Sequence, residues 1–208
     1  MRTAARSPRR PARPADRRST YALGLAALAI TALGACGNPD PRVAEASAES
    51  FEVTHQEPEL TSQNGWPAIT DGYDPRLVPF PWVTGRVLDG DVYTVLAHFA
   101  ERFDAEIEPI DRDSSWGWEH RPVRGSGDML SNHASGTAID LNATAHPLGS
   151  TGTFTDDQVA RLRKLLDEVA PVVVWGGDFE RPDEMHFEIA GTPDEVADVA
   201  ARLTAGAS

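Results

Sequence analysis

One segment of the chain combines two residue types that bind transition metals. His133 and Asp140 lie seven residues apart, with Gly136 between them. Glycine permits a tight turn, so a histidine in a loop and a carboxylate on a strand can meet at one ion. Imidazole and carboxylate groups are ligands of catalytic zinc, which also needs an open position for water. The segment therefore predicts two of the three protein ligands of a zinc site.

A second segment supplies a further histidine with acidic neighbours. His186 lies three residues after Asp183 and two after Glu184. The histidine is a candidate for the third ligand. Hydrolysis at a metal also needs a group that accepts a proton from the attacking water, and a carboxylate near a ligand can do this. On residue type alone, either acid is a candidate for that role.

The two segments together resemble a known family. Residues 131–140 follow the pattern S-x-H-x-x-G-x-A-x-D, and residues 183–186 follow D-x-x-H. These patterns are similar to those of the D-alanyl-D-alanine carboxypeptidase family of zinc metallopeptidases, which includes vancomycin-resistance dipeptidases and phage L-alanyl-D-glutamate endolysins. The similarity extends over about residues 116–189, including a His-Arg-Pro-Val-Arg-Gly run before the first motif.

The resemblance implies a role for each motif residue. The ligands of a Zn²⁺ cofactor would be His133, Asp140 and His186. Asp183 would be the general base, because its spacing from the histidine matches the family position, whereas Glu184 is a rival on proximity alone. The family also uses an arginine ahead of the first motif to stabilise the substrate carbonyl as negative charge develops. Arg121 is the better match for it, and Arg124 is the alternative.

The reaction that the resemblance implies is zinc-dependent hydrolysis of amide bonds in the stem peptides of peptidoglycan. A carboxypeptidase that releases terminal D-Ala and an endopeptidase that cuts between L-Ala and D-Glu would share these residues, since loops around a cleft choose the bond. The alternative is a zinc-containing lipoprotein that binds cell wall without catalysis. The presence of both Asp183 and Arg121 favours the enzyme.

Four residues near the motifs are candidates for substrate binding. They are Arg124, Asn142, His146 and Trp175. Asn142 lies two residues after Asp140 and would face the same side of a strand. His146 could line the cleft or cap a turn, and Trp175 could form a wall of the cleft or belong to the core.

Three segments have the apolar periodicity of helices. The first begins near residue 89, with Asp91 as a candidate N-cap. The second covers residues 155–170 and starts with the spacing of a capping box. The third begins after Thr192, which is followed by proline and by a glutamate at the third helical position.

Three short runs of β-branched and apolar residues lie between these helices. They are Gly136–Asn142, Pro171–Trp175 and Met185–Ile189. In the last run, His186 and Glu188 alternate with apolar residues, so both would face a cleft, and Glu188 could hydrogen-bond a ligand histidine. The pattern predicts an α+β fold, with a small antiparallel sheet flanked by helices and the zinc site in a cleft on the sheet.

The first 35 residues are typical of a bacterial lipoprotein signal peptide. A basic stretch precedes an apolar run that is too short to span a membrane comfortably, and the run ends in Leu-Gly-Ala before Cys36, the only cysteine. This resembles a lipobox and predicts export with a lipid anchor on Cys36 at the outer face of the cytoplasmic membrane. The export route, Sec or Tat, stays open.

Residues 36–75 are polar and Pro-rich, which predicts a flexible tether. Residues 76–208 would form the catalytic domain.

The charge of the chain limits its partners. The formal net charge is −13, and without residues 1–35 it is −19 because that segment holds seven arginines and one acid. So acidic a surface would repel a phosphate backbone, which argues against nucleic acid. We expect a monomer that acts on peptidoglycan and contacts the membrane only through its anchor.

Overall fold

The structure, a computed structural model, describes residues 60–206. The predicted signal peptide, Cys36 and the first part of the predicted tether, up to residue 59, lie outside the described residues. Within residues 60–206 no helix combines the length and the apolar character that crossing a membrane requires.

Within residues 60–206, three α-helices form where the apolar periodicity predicts them. They are α1 (Asp91–Glu106), α2 (Asp156–Glu168) and α3 (Pro193–Gly206). The capping box of α2 is confirmed, because the Thr155 hydroxyl accepts from the backbone N–H of Gln158 and the Gln158 side chain accepts from that of Thr155. The prediction that Asp91 caps α1 is wrong. The N-cap is Gly90, and Asp91 is the first helical residue.

In the part of the chain that the structure describes, five short strands form two antiparallel sheets. The strands β1 (Leu77–Pro79) and β2 (Arg86–Leu88) pair with each other, while β3 (Ala138–Asp140), β4 (Val173–Trp175) and β5 (His186–Ile189) form a sheet in the order β3-β5-β4. The predicted α+β architecture is confirmed, with strands shorter than the sequence runs. The register pairs Asp140 of β3 directly with His186 of β5.

The core lies between the helices and the three-stranded sheet. Phe187 of β5 is fully buried and its ring lies 4.8 Å from that of Phe99 and 5.6 Å from that of Phe103, both on α1. Because side chains alternate along a strand, burying Phe187 and Ile189 against the helices turns His186 to the other face. Core packing therefore orients the strand that carries the histidine.

Residues 60–75 belong to the folded domain, which corrects the predicted tether boundary at residue 75. Ile69 is 1% exposed, and the indole N–H of Trp66 donates to the carbonyl of Gly191 at 3.0 Å. We call residues 60–69 the N-terminal strap. Its polar, Pro-containing composition favours a tether, but the structure shows backbone and side-chain hydrogen bonds to distant residues.

Two features of position 136 favour glycine, a left-handed backbone and a close approach to another segment. A matched pair of variants separates their effects on stability. Its φ is +72°, and a Cβ atom there would lie 2.7 Å from the backbone nitrogen of Leu88. Gly149 has a similar φ of +85° but nothing within 4 Å of its Cβ position. Alanine at either site costs about 1–2 kcal/mol from the left-handed backbone. We expect Gly136→Ala to lower the thermal unfolding midpoint clearly more than Gly149→Ala does. Equal shifts of the midpoint in the two variants would show that the close approach of Gly136 to Leu88 does not affect stability.

Candidate metal centre and cleft

Three side chains from the two sequence motifs meet in one buried cluster. His133, Asp140 and His186 each offer a ligand atom, and these atoms all lie within 4.8 Å of one another. The Oδ1 atom of Asp140 lies 3.2 Å from Nε2 of His133 and 2.8 Å from Nδ1 of His186. All three residues are at most 7% exposed.

Local structure explains how residues distant in sequence converge. His133 lies on a 3₁₀ helix, Asn132–Ser135, whose N-terminus is capped by the Ser131 hydroxyl. Gly136 ends that helix in a left-handed conformation and turns the chain toward β3, which carries Asp140. The pairing of β3 with β5 then brings His186 alongside. The turn predicted at Gly136 is thus the element that lets a loop residue reach the sheet.

Hydrogen bonds orient each of the three side chains. The Nδ1 atom of His133 donates to the carbonyl of Gly117 at 2.7 Å, which leaves Nε2 with its lone pair toward the cluster. The Nε2 atom of His186 donates to Glu188 at 2.8 Å, which leaves Nδ1 toward the cluster. Such partners fix the tautomer and ring orientation of a metal-binding imidazole. The predicted contact of Glu188 with a ligand histidine is therefore present.

Burial and charge set the protonation of the cluster. Burial raises the pKa of Asp140, but the two histidines outweigh this and hold that pKa well below its usual value. Burial lowers the pKa of His186, whereas its hydrogen bonds to Asp140 and Glu188 raise it, with a net result of about 10. An imidazole must be deprotonated to act as a metal ligand, so a zinc ion held by this cluster would compete with that proton.

Asp183 lies beside the cluster with one oxygen free. Its Oδ1 atom is buried and has no hydrogen-bond partner within residues 60–206. Burial raises the pKa of Asp183, and the negative charge of Asp140 raises it further. The backbone N–H of Asp183 donates to the carbonyl of Gly176 at 2.9 Å, and a Cβ atom on Gly176 would lie 2.5 Å from the carbonyl oxygen of Asp183. A tight turn thus holds an acceptor without a protein donor next to the candidate ligands.

Glu184, the rival base, has a different environment. It is 6% exposed and its carboxylate accepts hydrogen bonds from the backbone N–H groups of Gly152 and Thr153, both at 2.8 Å, and from the Thr153 hydroxyl. These contacts use both oxygens to hold the loop before α2. Of the two neighbouring acids, only Asp183 lines the cleft.

The cluster opens into a cleft of about 340 Å³. The residues that line it include Gln63, Arg121, Arg124, Ser131, Asp140, Phe179, Arg181, Asp183, His186 and Glu188. Arg121 makes an ion pair with Glu119 at 2.7 Å. Within the described part of the chain, Arg124 and Arg181 make no ion pair. Both arginines considered from the sequence, Arg121 and Arg124, are therefore at the cleft.

Three predicted substrate residues lie elsewhere. Asn142 and His146 are both held by Glu108: the Asn142 side-chain amide donates to Glu108, and His146 Nε2 lies 2.8 Å from Glu108 Oε1. His146 also stacks on Phe154, with ring centroids 3.8 Å apart. Trp175 is 5% exposed in the core, and its indole N–H donates to the carbonyl of Glu184. These residues support the fold, and none of the three lines the cleft.

Several residues that line the cleft were not identified from the sequence, among them Phe179, Arg181 and Gln63. Phe179 is 38% exposed, and its ring lies 6.1 Å from that of His186. Arg181 lies two residues before Asp183, so its position next to the second motif was a usable signal. Gln63 comes from the N-terminal strap, about 70 residues before the first motif, and nothing local in the sequence indicates it.

The donor set fits a zinc ion. Two imidazole nitrogens and one carboxylate oxygen match the ligand types of a catalytic zinc site that keeps one position open for water, and Asp183 lines the same cleft as Asp140 and His186. A family model described as D-alanyl-D-alanine carboxypeptidase matches residues 124–189. This match includes all four residues and confirms the predicted family resemblance. Searches of curated proteins and of solved structures gave no match.

Removal of either histidine of the cluster should abolish metal binding. We expect one zinc per wild-type chain and loss of that zinc in His133→Ala and His186→Ala, because each substitution leaves only two ligands. His120→Ala is the control, since His120 is exposed and lies outside the cluster. Metal content is measured by atomic emission after dialysis. Full zinc occupancy in both cluster variants would exclude this site.

Proposed function

We propose that this protein, whose residues 124–189 match a family model described as D-alanyl-D-alanine carboxypeptidase, is a zinc-dependent peptidase that hydrolyses amide bonds in peptidoglycan stem peptides. The observation that carries the proposal is the pairing of a three-ligand cluster with the unpartnered carboxylate oxygen of Asp183. A module that only binds zinc has no need for a buried acceptor without a protein donor in the cleft at the ligand cluster. That arrangement favours catalysis over the alternative of a non-catalytic cell-wall-binding lipoprotein.

Bound at His133, Asp140 and His186, a zinc ion would supply Lewis acidity that polarises a substrate carbonyl and makes water a better nucleophile. Asp183 accepts the proton of the attacking water at its free oxygen. The raised pKa of Asp183 suits this task, because a base with a higher pKa takes a proton more readily. Asp183 then donates the proton to the leaving amine.

An arginine of the cleft stabilises the negative charge that develops on the carbonyl oxygen. We assign this role to Arg121, which Glu119 holds in place at the cleft, and keep Arg124 as the alternative. The family match begins at residue 124, so it includes Arg124 and leaves Arg121 outside. Alanine substitution at each position in turn, with kcat as the readout, distinguishes the two.

The cleft suits an acidic peptide. Arg124 and Arg181 line it without carboxylate partners among residues 60–206, although the protein as a whole is strongly acidic. Guanidinium groups left unpaired at a cleft favour a substrate that carries carboxylates, as stem peptides do. A terminal D-Ala and a D-Glu residue both provide one, so the charge fits release of D-Ala and cleavage between L-Ala and D-Glu. Digestion of purified muropeptides, followed by mass spectrometry of the fragments, identifies the bond.

Asp183 should be required for turnover and dispensable for zinc. Asp183→Asn keeps the size of the side chain and removes the proton acceptor, so we expect the hydrolysis rate of stem peptides to fall by ~10²-fold or more with zinc still bound. Glu184→Gln is the matched control. It should stay active and lose some thermal stability, because Glu184 holds the loop at Gly152 and Thr153. An active Asp183→Asn protein together with an inactive Glu184→Gln protein would assign the base to Glu184.

We also propose that the protein is exported and anchored by a lipid on Cys36, which would place the peptidase next to its substrate. The proposal is supported by the apolar run that ends in Leu-Gly-Ala-Cys. Cells fed a labelled fatty acid should label the wild-type protein and not Cys36→Ala. Absence of label in the wild type would refute the anchor and leave the catalytic proposal untouched.

A further inference from the structure

The N-terminal strap contacts the loop that carries the first metal-binding histidine. The backbone N–H of Ile69 donates to the carbonyl of Ala134 at 2.7 Å, and the backbone N–H of Gln63 donates to that of Leu130 at 3.0 Å. The Ser62 hydroxyl donates to the Ser135 hydroxyl at 2.8 Å. The strap therefore lies along residues 130–135, which include His133. It also lies outside residues 124–189, the part of the chain that matches the family model.

Asn64 of the strap connects both motif segments. Its side-chain amide donates to the Thr137 hydroxyl and to the carbonyl of Ile189, each at 2.8 Å. Thr137 lies between His133 and Asp140, and Ile189 ends the strand of His186. One side chain thus links the segment that holds two of the candidate ligands to the strand that holds the third.

A second set of contacts leads from the strap to His186 itself. The backbone N–H of Asn64 donates to Oδ1 of Asn132 at 2.9 Å, and Nδ2 of Asn132 donates to Oε2 of Glu188 at 2.7 Å. The same Glu188 oxygen accepts from Nε2 of His186 at 2.8 Å. Asn132 is 1% exposed, so water cannot readily replace either of its partners. The orientation of Glu188, and with it that of the histidine ring, depends on Asn132.

We propose that the N-terminal strap is part of the metal site. Asn132 positions His186 through Glu188, and the Asn64 side chain positions the two ligand segments through Thr137 and Ile189. The strap holds the two ligand segments relative to each other, and their spacing would set how tightly a zinc ion binds. The inference rests on the proposed zinc site and adds to it a segment that the two motifs do not contain. Substitution of a residue that hydrogen-bonds to a metal ligand typically changes the metal affinity by 10–100-fold.

The test is the zinc affinity of the full chain, measured by competition with a chromogenic chelator, together with the thermal midpoint of the metal-free protein. Asn64→Ala removes both donated hydrogen bonds of the side chain, and Asn132→Asp replaces the donor to Glu188 with a second carboxylate that repels it. We expect each to raise the zinc dissociation constant about tenfold or more. Asn132→Asp keeps the acceptor for the Asn64 N–H, so it tests the contact with Glu188 even if Asn64→Ala folds poorly.

Two controls separate positioning from general stability. Val199→Ala removes packing in α3, where Val199 is 2% exposed, and should lower the midpoint while changing the zinc dissociation constant less than twofold. Asp71→Ala alters an exposed residue just beyond the strap and should change neither quantity. If Asn64→Ala and Asn132→Asp lower the midpoint as Val199→Ala does but bind zinc like the wild type, the strap is only structural and the inference is wrong. The proposed function fails separately, when a zinc-loaded wild type cleaves no stem peptide.

Discussion

The buried carboxylate of Asp140 is the group on which the site depends. A buried charge is costly unless opposite charges and hydrogen bonds compensate for it. Its Oδ2 atom accepts from the indole N–H of Trp116 at 2.8 Å, and its Oδ1 atom lies within 3.2 Å of nitrogens of both His133 and His186. Both oxygens are therefore fixed. The arrangement requires the turn at Gly136 and the register of β3 with β5, so the constraint on one carboxylate extends to a loop and a sheet.

Local patterns in the sequence were sufficient for the helices and for the ligand cluster. The apolar stripes and caps of α2 and α3 depend on residues three or four positions apart, which a single segment contains. The alternation around His186 likewise predicts which side chains face the core. The ligand set came from two motifs whose members lie at most seven residues apart, and the convergence of those motifs came from the resemblance to a family. Helix α1 shows the limit of such local patterns, because its N-cap is Gly90 and not the polar Asp91 that follows.

Where the structure differs from the sequence prediction, the cause is long-range contacts. His146 and Asn142 resembled cleft residues because they follow a motif, but Glu108, 38 and 34 residues earlier, binds both. The N-terminal strap resembled a tether because its composition is polar. Its Asn64 bonds to residues 68 and 125 positions away. No local pattern encodes such pairs, and polar composition does not distinguish a solvated segment from one whose hydrogen bonds are made within the protein.

The two sides of the cleft differ in how much change of chain length they can absorb. Between β4 and β5 the chain closes on itself at Gly176, where the carbonyl of Asp183 leaves no room for a side chain. An insertion there would move Asp183 and His186 together. Residues 124–129 on the other side are exposed, and neither Gly125 nor Gly127 has an atom within 4 Å of its Cβ position. Exposed tips of this kind tolerate insertions. A change in the length of that turn can therefore reshape this part of the cleft while His133, Asp140 and His186 keep their positions.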